Sequence, residues 1–256
     1  MTRWFLAIAL AVWPAVAIPS SWKGTQVSIA VTAPWPPYQF RAQNGDIVGL
    51  EVDLLNTVCA RLEVTCQWHE TSFATLFDQV ANGRFDVGAS GLGWTSSRAK
   101  KVIMSCPYNP SQRQQHAGFF ARDPDLPMNT SRLAVAAGLL AEAALIRDGL
   151  NFTPFADEDS ALLAVLDGHA DVFVGAYGYV QSHASALLPN QLGQLALDGG
   201  GTSFALNPNR PDLASAIEET LVMMSQDGTL ERLLRSWIGP GSEHPMKACI
   251  QTPLTS

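Results

Sequence analysis

One arginine stands out by its setting. Arg98 closes the stretch "GASGLGWTSSR", in which glycines and hydroxyl residues lead directly into a cation. A planar guanidinium matches both oxygens of a carboxylate, and small neighbours let backbone N–H groups approach the same anion. Arg98 is therefore either a carboxylate clamp or an ion-pair partner on a helix surface. Aromatic residues sit at other turns: Trp35 in "PWPPYQF", Phe73 at the head of "FATLFDQVANGR", and Tyr177 and Tyr179 in "VFVGAYGYV". The five histidines (His69, His116, His169, His183, His244) are scattered and no zinc-type Cys/His spacing occurs, so no metal or cofactor is expected.

The elements that must position these residues read as alternating strands and helices. "QVSIAVTAP" has the period of a strand and stops at a proline. "PWPPYQF" reads as a rigid aromatic loop. "NGDIVGLEVDLLNTVCARLE" starts with a turn at Asn44-Gly45 and continues as an amphipathic helix with Val52, Leu55, Val58, Ala60 and Leu62 near helical spacing. "VTCQWHET" is a strand, "FATLFDQVANGR" a helix closed by Asn82-Gly83, and "FDVGASG" a strand that runs into the arginine stretch. This β-α-β-α-β progression predicts a largely parallel sheet. A second set follows from about residue 112, with "HAGFFARD", "RLAVAAG", "LLAEAALIRDG", "FTPFADEDSALLAVLDGHA" and "DVFVGAYGYVQSHASAL". "GTSFALNP" reads as a returning strand, and two helices divided at Asp227-Gly228 follow it. Two α/β lobes facing a cleft are expected, with ligands beyond the carboxyl ends of the strands.

Bulk properties fit an exported globular protein. The chain has 256 residues, 47% of them hydrophobic, and a formal net charge of −7, which argues against a nucleic-acid groove or an anionic membrane as partner. "MTRWFLAIALAVWPAVA" has the basic start, apolar run and small-residue end of a signal peptide, so the mature chain is expected to start near Ile18. The alternative is a membrane anchor, for which the apolar run is short. Residues 1–17 are thus assigned to the signal peptide and 18–110 to the first part of lobe one. Residues 111–200 are assigned to lobe two, and 201–256 to a return strand and C-terminal helices mainly of lobe one. An even cysteine count in an exported chain favours disulfides. Cys59 and Cys66 would link the end of a helix to the next strand, and Cys106 with Cys249 follows by elimination; metal ligation is the alternative.

At these residues the chain resembles the periplasmic substrate-binding proteins of polar amino acid ABC importers, solute-binding protein family 3, which have the type 2 periplasmic-binding fold. "PWPPYQF…NGDIVGLEVDLLNTVCARL", "FATLFDQVANGRFDVGASGLGWTSSRAKKV", "LAVAAG", "LDGHADVFVGAYGYV" and "SQDGTLERLLRSWIG" fall in the family's order over nearly the whole mature chain. The Cys59–Cys66 pair matches the disulfide of its lysine/arginine/ornithine- and histidine-binding branch. The resemblance implies that Arg98 grips a ligand carboxylate, assisted by Ser90, Gly91 and Gly93. It implies that Trp35 and Phe73 form aromatic walls, with Tyr177 beside the second-lobe contact. It also implies a small-molecule ligand with a carboxylate, an inner-membrane ABC permease as partner, a periplasmic location and a monomer.

The pattern breaks where the family holds the ligand's ammonium. Thr32 and Ala176 stand at the acidic positions, Leu139 and Leu140 replace a Gly-Ser/Thr-Thr contact, and Gly93 replaces a threonine or serine. A buried ammonium without a carboxylate is costly, so the expected solute is amino acid-like without being a standard α-amino acid. Two alternatives stay open. One is an accessory periplasmic protein of this fold that binds a protein partner. The other is a cyclohexadienyl dehydratase-like enzyme, with Glu142, Glu51 or Asp53 as candidate acids.

Overall fold

The structure is a computed structural model that describes residues 23–109, 116–197, 201–240 and 246. The predicted signal peptide and Cys249 lie outside the described residues. Two five-stranded sheets form two lobes. In lobe one, β1 (Gln26–Val31) lies between β4 (Thr65–Glu70) and β5 (Val87–Gly93), parallel to both. The returning β12 (Thr202–Leu206) pairs antiparallel with β5 and with the short β6 (Ile103–Met104), giving the order β4-β1-β5-β12-β6.

Helix α1 (Leu50–Arg61) buries Leu50, Leu54, Leu55 and Val58 against Ile29, Val31, Val87 and Phe204. The helix starts after Gly49, whose φ of 137° belongs to glycine, and a Cβ there would collide with the Tyr38 carbonyl. Helix α2 (Phe73–Ala81) covers the other face with Leu76 and Val80 and stops at Asn82, before Gly83 at φ 76°. A disulfide joins Cys59 in α1 to Cys66 in β4. Cys106 is fully buried, and no cysteine among the described residues is free.

Lobe two has the order β11-β7-β10-β8-β9, from β7 (His116–Ala121), β8 (Leu133–Ala136), β9 (Phe152–Phe155), β10 (Val172–Gly175) and β11 (Gln191–Ala196). Strands β8, β9 and β10 are parallel, while β7 and β11 run antiparallel to their neighbours. Helix α3 (Leu140–Arg147) packs on one face through Ala141, Ala144 and Leu145. Helices α4 (Glu158–Leu166) and α5 (Tyr177–His183) pack on the other through Ala161, Leu162, Val165 and Val180. Asp157 caps α4 by accepting from Ser160 N at 2.8 Å. Helices α6 (Pro211–Gln226) and α7 (Thr229–Ile238) return to the lobe-one core, separated at Gly228 with φ 76°.

Three features differ from the sequence reading. Residues around "YQF" and "DIV" form a small hairpin, β2 (Phe40–Arg41) with β3 (Ile47–Val48), where the sequence reads as a loop and the lead-in to the first helix. Strands β6 and β11 are additional, and both are short or polar edge strands without a clear apolar period. The chain passes between lobes next to Asn109 and Thr202, which are tied by Thr202 N donating to Asn109 O at 2.8 Å. Among the described residues no helix is long and apolar enough to cross a membrane.

Candidate functional site

The carboxyl ends of β1 and β5 in lobe one meet those of β8 and β10 in lobe two. Arg98 stands at this junction. Its backbone N–H donates to Thr95 Oγ1 at 3.1 Å, which fixes the turn after β5. Its guanidinium donates through Nη1 to Gly93 O at 2.8 Å and through Nη2 across the lobes to Gly138 O at 3.1 Å. The same group lies over the rings of Phe77 and Phe73, at 4.8 Å and 5.7 Å from their centroids. Burial pulls the Arg98 pKa down to about 10, and among the described residues no carboxylate pairs with it. A partly desolvated cation held by carbonyl dipoles and ring faces has unspent capacity for an anion.

The aromatic loop after β1 supplies the opposite contact. The loop is shaped by cis Ala33-Pro34 and Pro36-Pro37 bonds and by Trp35 N donating to Gln39 O at 2.7 Å. Trp35 packs against the cores of both lobes and stacks on Tyr179, with ring centroids 6.1 Å apart. Tyr179 in turn stacks on His183 at 4.2 Å and donates its hydroxyl to Asp159. Burial first, then that bond and the acids of α4, push the Tyr179 hydroxyl far above its usual pKa.

The structure brings Trp35, Phe73, Gly93 and Arg98 to the junction. Phe73 opens α2, and a Cβ on Gly138 of lobe two would lie 3.5 Å from its ring. Gly93 faces lobe two, because a Cβ on it would collide with Leu140. The other predicted contacts are arranged differently. Ser90 is buried and its hydroxyl accepts from Thr32 N and Thr32 Oγ1, both at 2.9 Å, while donating to Ala89 O. Gly91, at φ 60°, turns its N–H inward to the Glu51 carboxylate at 3.0 and 3.1 Å. That amide is therefore committed within lobe one. Tyr177 is 52% exposed and leans on Phe120; two residues later, Tyr179 is the tyrosine that meets lobe one.

The candidate acids have structural partners. Glu142 accepts from Gly138 N at 2.6 Å, which ties the start of α3 to the loop after β8. Asp53 accepts from Trp237 Nε1 at 2.8 Å and ties α1 to α7. Glu51 is fully buried and accepts from the Tyr108 hydroxyl at 2.7 Å as well as from Gly91. Its burial outweighs these bonds and raises its carboxyl to about 7. Sequence reasoning overlooked Glu158, which is 8% exposed, and whose Oε1 has no hydrogen-bond partner. In the sequence it is hidden in an acidic triplet, Asp157-Glu158-Asp159, that reads as an ordinary helix start. Among the described residues no cluster of His, Cys, Asp and Glu is arranged to hold a metal ion.

Known proteins share the fold of this chain. The family model for "Bacterial extracellular solute-binding proteins, family 3" matches residues 27–240. The arginine-binding periplasmic protein of Mannheimia haemolytica is 23% identical over 218 residues, covering 82% of this chain and 90% of that protein. The lysine/arginine/ornithine-binding periplasmic protein of Escherichia coli K12 is 23% identical, covering 82% and 86%. Among solved structures, a His/Glu/Gln/Arg/opine family-binding protein from Silicibacter pomeroyi in complex with lysine has a TM-score of 0.73 at 21% identity, covering 85% and 99%. An ancestral amino acid-binding protein described as a precursor of cyclohexadienyl dehydratase has a TM-score of 0.65 at 23% identity, covering 83% and 94%. The chain therefore belongs to the bacterial extracellular solute-binding proteins, family 3.

Proposed function

We propose that this protein is a periplasmic receptor that captures a small carboxylate-bearing solute between its lobes and presents it to an ABC permease. One observation carries the reading: Arg98 lies between the lobes, partly desolvated, without a carboxylate partner among the described residues. A ligand carboxylate entering there gains a bidentate, charge-assisted pair, and Phe73 and Trp35 supply apolar walls. A carboxylate held by Arg98 would also lie beside Gly138 of the second lobe, so contacts to both lobes would favour the closed state. Export fits the signal-like N-terminus, the Cys59–Cys66 disulfide and the relatives named as periplasmic. The family's acidic positions are Thr32 and Ala176 here, so an α-ammonium is not held in the family's way.

One observation favours the accessory-protein reading. Trp35 stacks directly on Tyr179 and Leu140 fills the space at Gly93, so side chains of the protein itself occupy part of the junction. A thermal-shift screen separates the two. The panel contains standard amino acids, carboxylic acids without an amine, aromatic acids and polyamines. A solute at a hundred times its dissociation constant adds about 2.7 kcal/mol of stability. A shift with carboxylates alone or with amino acids supports a receptor; a shift with polyamines only removes Arg98 from the account. No shift with any compound transfers support to the accessory reading.

A further inference from the structure

Two aromatic rings, one from each lobe, meet at the junction. Trp35 lies in the loop after β1, and Tyr179 in the first turn of α5. Each ring is fixed from behind by its own lobe. On the lobe-one side Trp35 is seated on Gly91, where a Cβ would lie 2.8 Å from Trp35 Nε1. On the lobe-two side Tyr179 is buried, stacks on His183, lies 5.8 Å from the Phe173 ring and donates its hydroxyl to Asp159. The two rings are 22° from parallel with centroids 6.1 Å apart, within the range of an offset stack. A planar group between them would need about 7 Å, the depth of two van der Waals contacts. The rings therefore pair with each other and leave no slot for a solute between them.

Two further contacts cross between the lobes. Leu140, at the start of α3, fills the space at Gly93: its Cδ1 lies 2.4 Å from the point that a Cβ there would take. Arg98 Nη2 donates to Gly138 O at 3.1 Å. All three contacts join protein to protein, one aromatic, one apolar and one polar. Trp35 also packs against buried side chains of both lobe cores. Contacts made only when the lobes meet favour the closed form by themselves, whether or not a solute adds to them. The aromatic pair has the largest share, because rings carry the greatest apolar area and a preferred orientation.

We propose that Trp35 and Tyr179 form a latch that holds the two lobes together through the protein's own side chains, with Leu140 on Gly93 as a second catch. This does not depend on the receptor reading. In an accessory protein the latch presents one fixed surface to a partner. In a receptor it lowers the apparent affinity by the fraction of open form, through which the solute must enter. A solute screen tests the receptor, and lobe spacing tests the latch, so either can fail without the other.

The test is the distance between the lobes, read by pulsed electron paramagnetic resonance. Spin labels are attached at Ala74→Cys in α2 and Ala143→Cys in α3, both exposed positions. No cysteine among the described residues is free to take a label. The mature protein is unfolded in guanidinium without reductant, dialysed and refolded, which strips any co-purified solute and keeps the disulfides. The labelled protein is compared with Trp35→Ala, Tyr179→Ala and the double variant, each verified as folded by chemical denaturation. The latch predicts one short distance in the labelled protein. Each single variant should add a longer distance, with the closed-to-open ratio lowered about tenfold. The double variant should open little further than the wider of the two singles, because either substitution already breaks the pair. The two substitutions lie in different lobes, so either folded variant decides alone. A long distance in the labelled protein itself, or a short one retained in a folded single variant, would overturn the latch.

Discussion

Replacing Glu51 with glutamine should abolish a pH dependence built into lobe one. Glu51 is fully buried beneath Gly91, and its carboxyl is raised to about 7 from an ordinary 4.5. Burial is the main cause, and the bonds from Tyr108 and Gly91 only partly offset it. The sign follows from proton linkage. Below about 4.5 folded and unfolded chains both hold the proton, and the stability associated with the raised value is fully present. Between about 4.5 and 7 the unfolded chain releases its proton while the folded chain retains it, so stability falls as pH rises. Above 7 the loss is complete, at about 3 kcal/mol. From pH 5 to pH 8 the wild type should therefore lose about 2–3 kcal/mol relative to Glu51→Gln. Glutamine still accepts from Gly91 N and presents a donor to the Tyr108 oxygen, so the fold retains its local bonds. Urea denaturation of both proteins at the two pH values measures the difference directly. A wild-type-to-variant gap that stays constant across pH refutes the reasoning, since it means that Glu51 is not raised by its burial.

Three further outcomes are expected. Gly93→Val should weaken ligand binding, because side-chain atoms there collide with Leu140 when the lobes meet; over-packing of this kind costs about 1–3 kcal/mol, and Leu140→Ala in the same protein should restore much of it. A double variant no better than Gly93→Val contradicts the geometry. Gly49→Ala should destabilise the chain by about 2 kcal/mol or more, because φ is 137° and a Cβ meets the Tyr38 backbone, which denaturant midpoints will show. Cys59→Ser with Cys66→Ser should cost about 2.5 kcal/mol, from the sequence separation of 7 residues in the loop, and lower the thermal midpoint by several degrees; an unchanged midpoint contradicts this.

Much of the fold was readable because helix ends carry physical markers. Gly49, Asn82-Gly83 and Asp227-Gly228 stop or start helices through backbone conformations that favour glycine, and the apolar period between them is clear. Strand β11 was not readable, because "QLGQLA" is an edge strand with no alternating apolar period, whose pairing is supplied by β7. The place of Arg98 just after β5 is legible in its own stretch of sequence, whereas which tyrosine of "GAYGY" stacks on lobe one is not: Tyr179 meets Trp35 and Tyr177 is exposed. That phase depends on where β10 ends and α5 begins, which no local residue fixes. Gly91 illustrates a similar limit: its small size was visible, but the direction of its N–H depends on a carboxylate 40 residues earlier. Glu158 was invisible for a different reason, since only the three-dimensional count of donors reveals that its neighbours are occupied and it is not.

The most direct measurement is the affinity of the best carboxylate from the screen for wild type, Arg98→Lys and Arg98→Ala, by calorimetric titration at one pH and salt concentration. Loss of a buried charge pair costs about 2–5 kcal/mol, so Arg98→Ala should bind at least 30-fold more weakly. Arg98→Lys, which retains the charge but not the planar fork, should fall between the two. Equal affinity in wild type and Arg98→Ala would contradict the account that a guanidinium between the lobes recognises the solute's carboxylate.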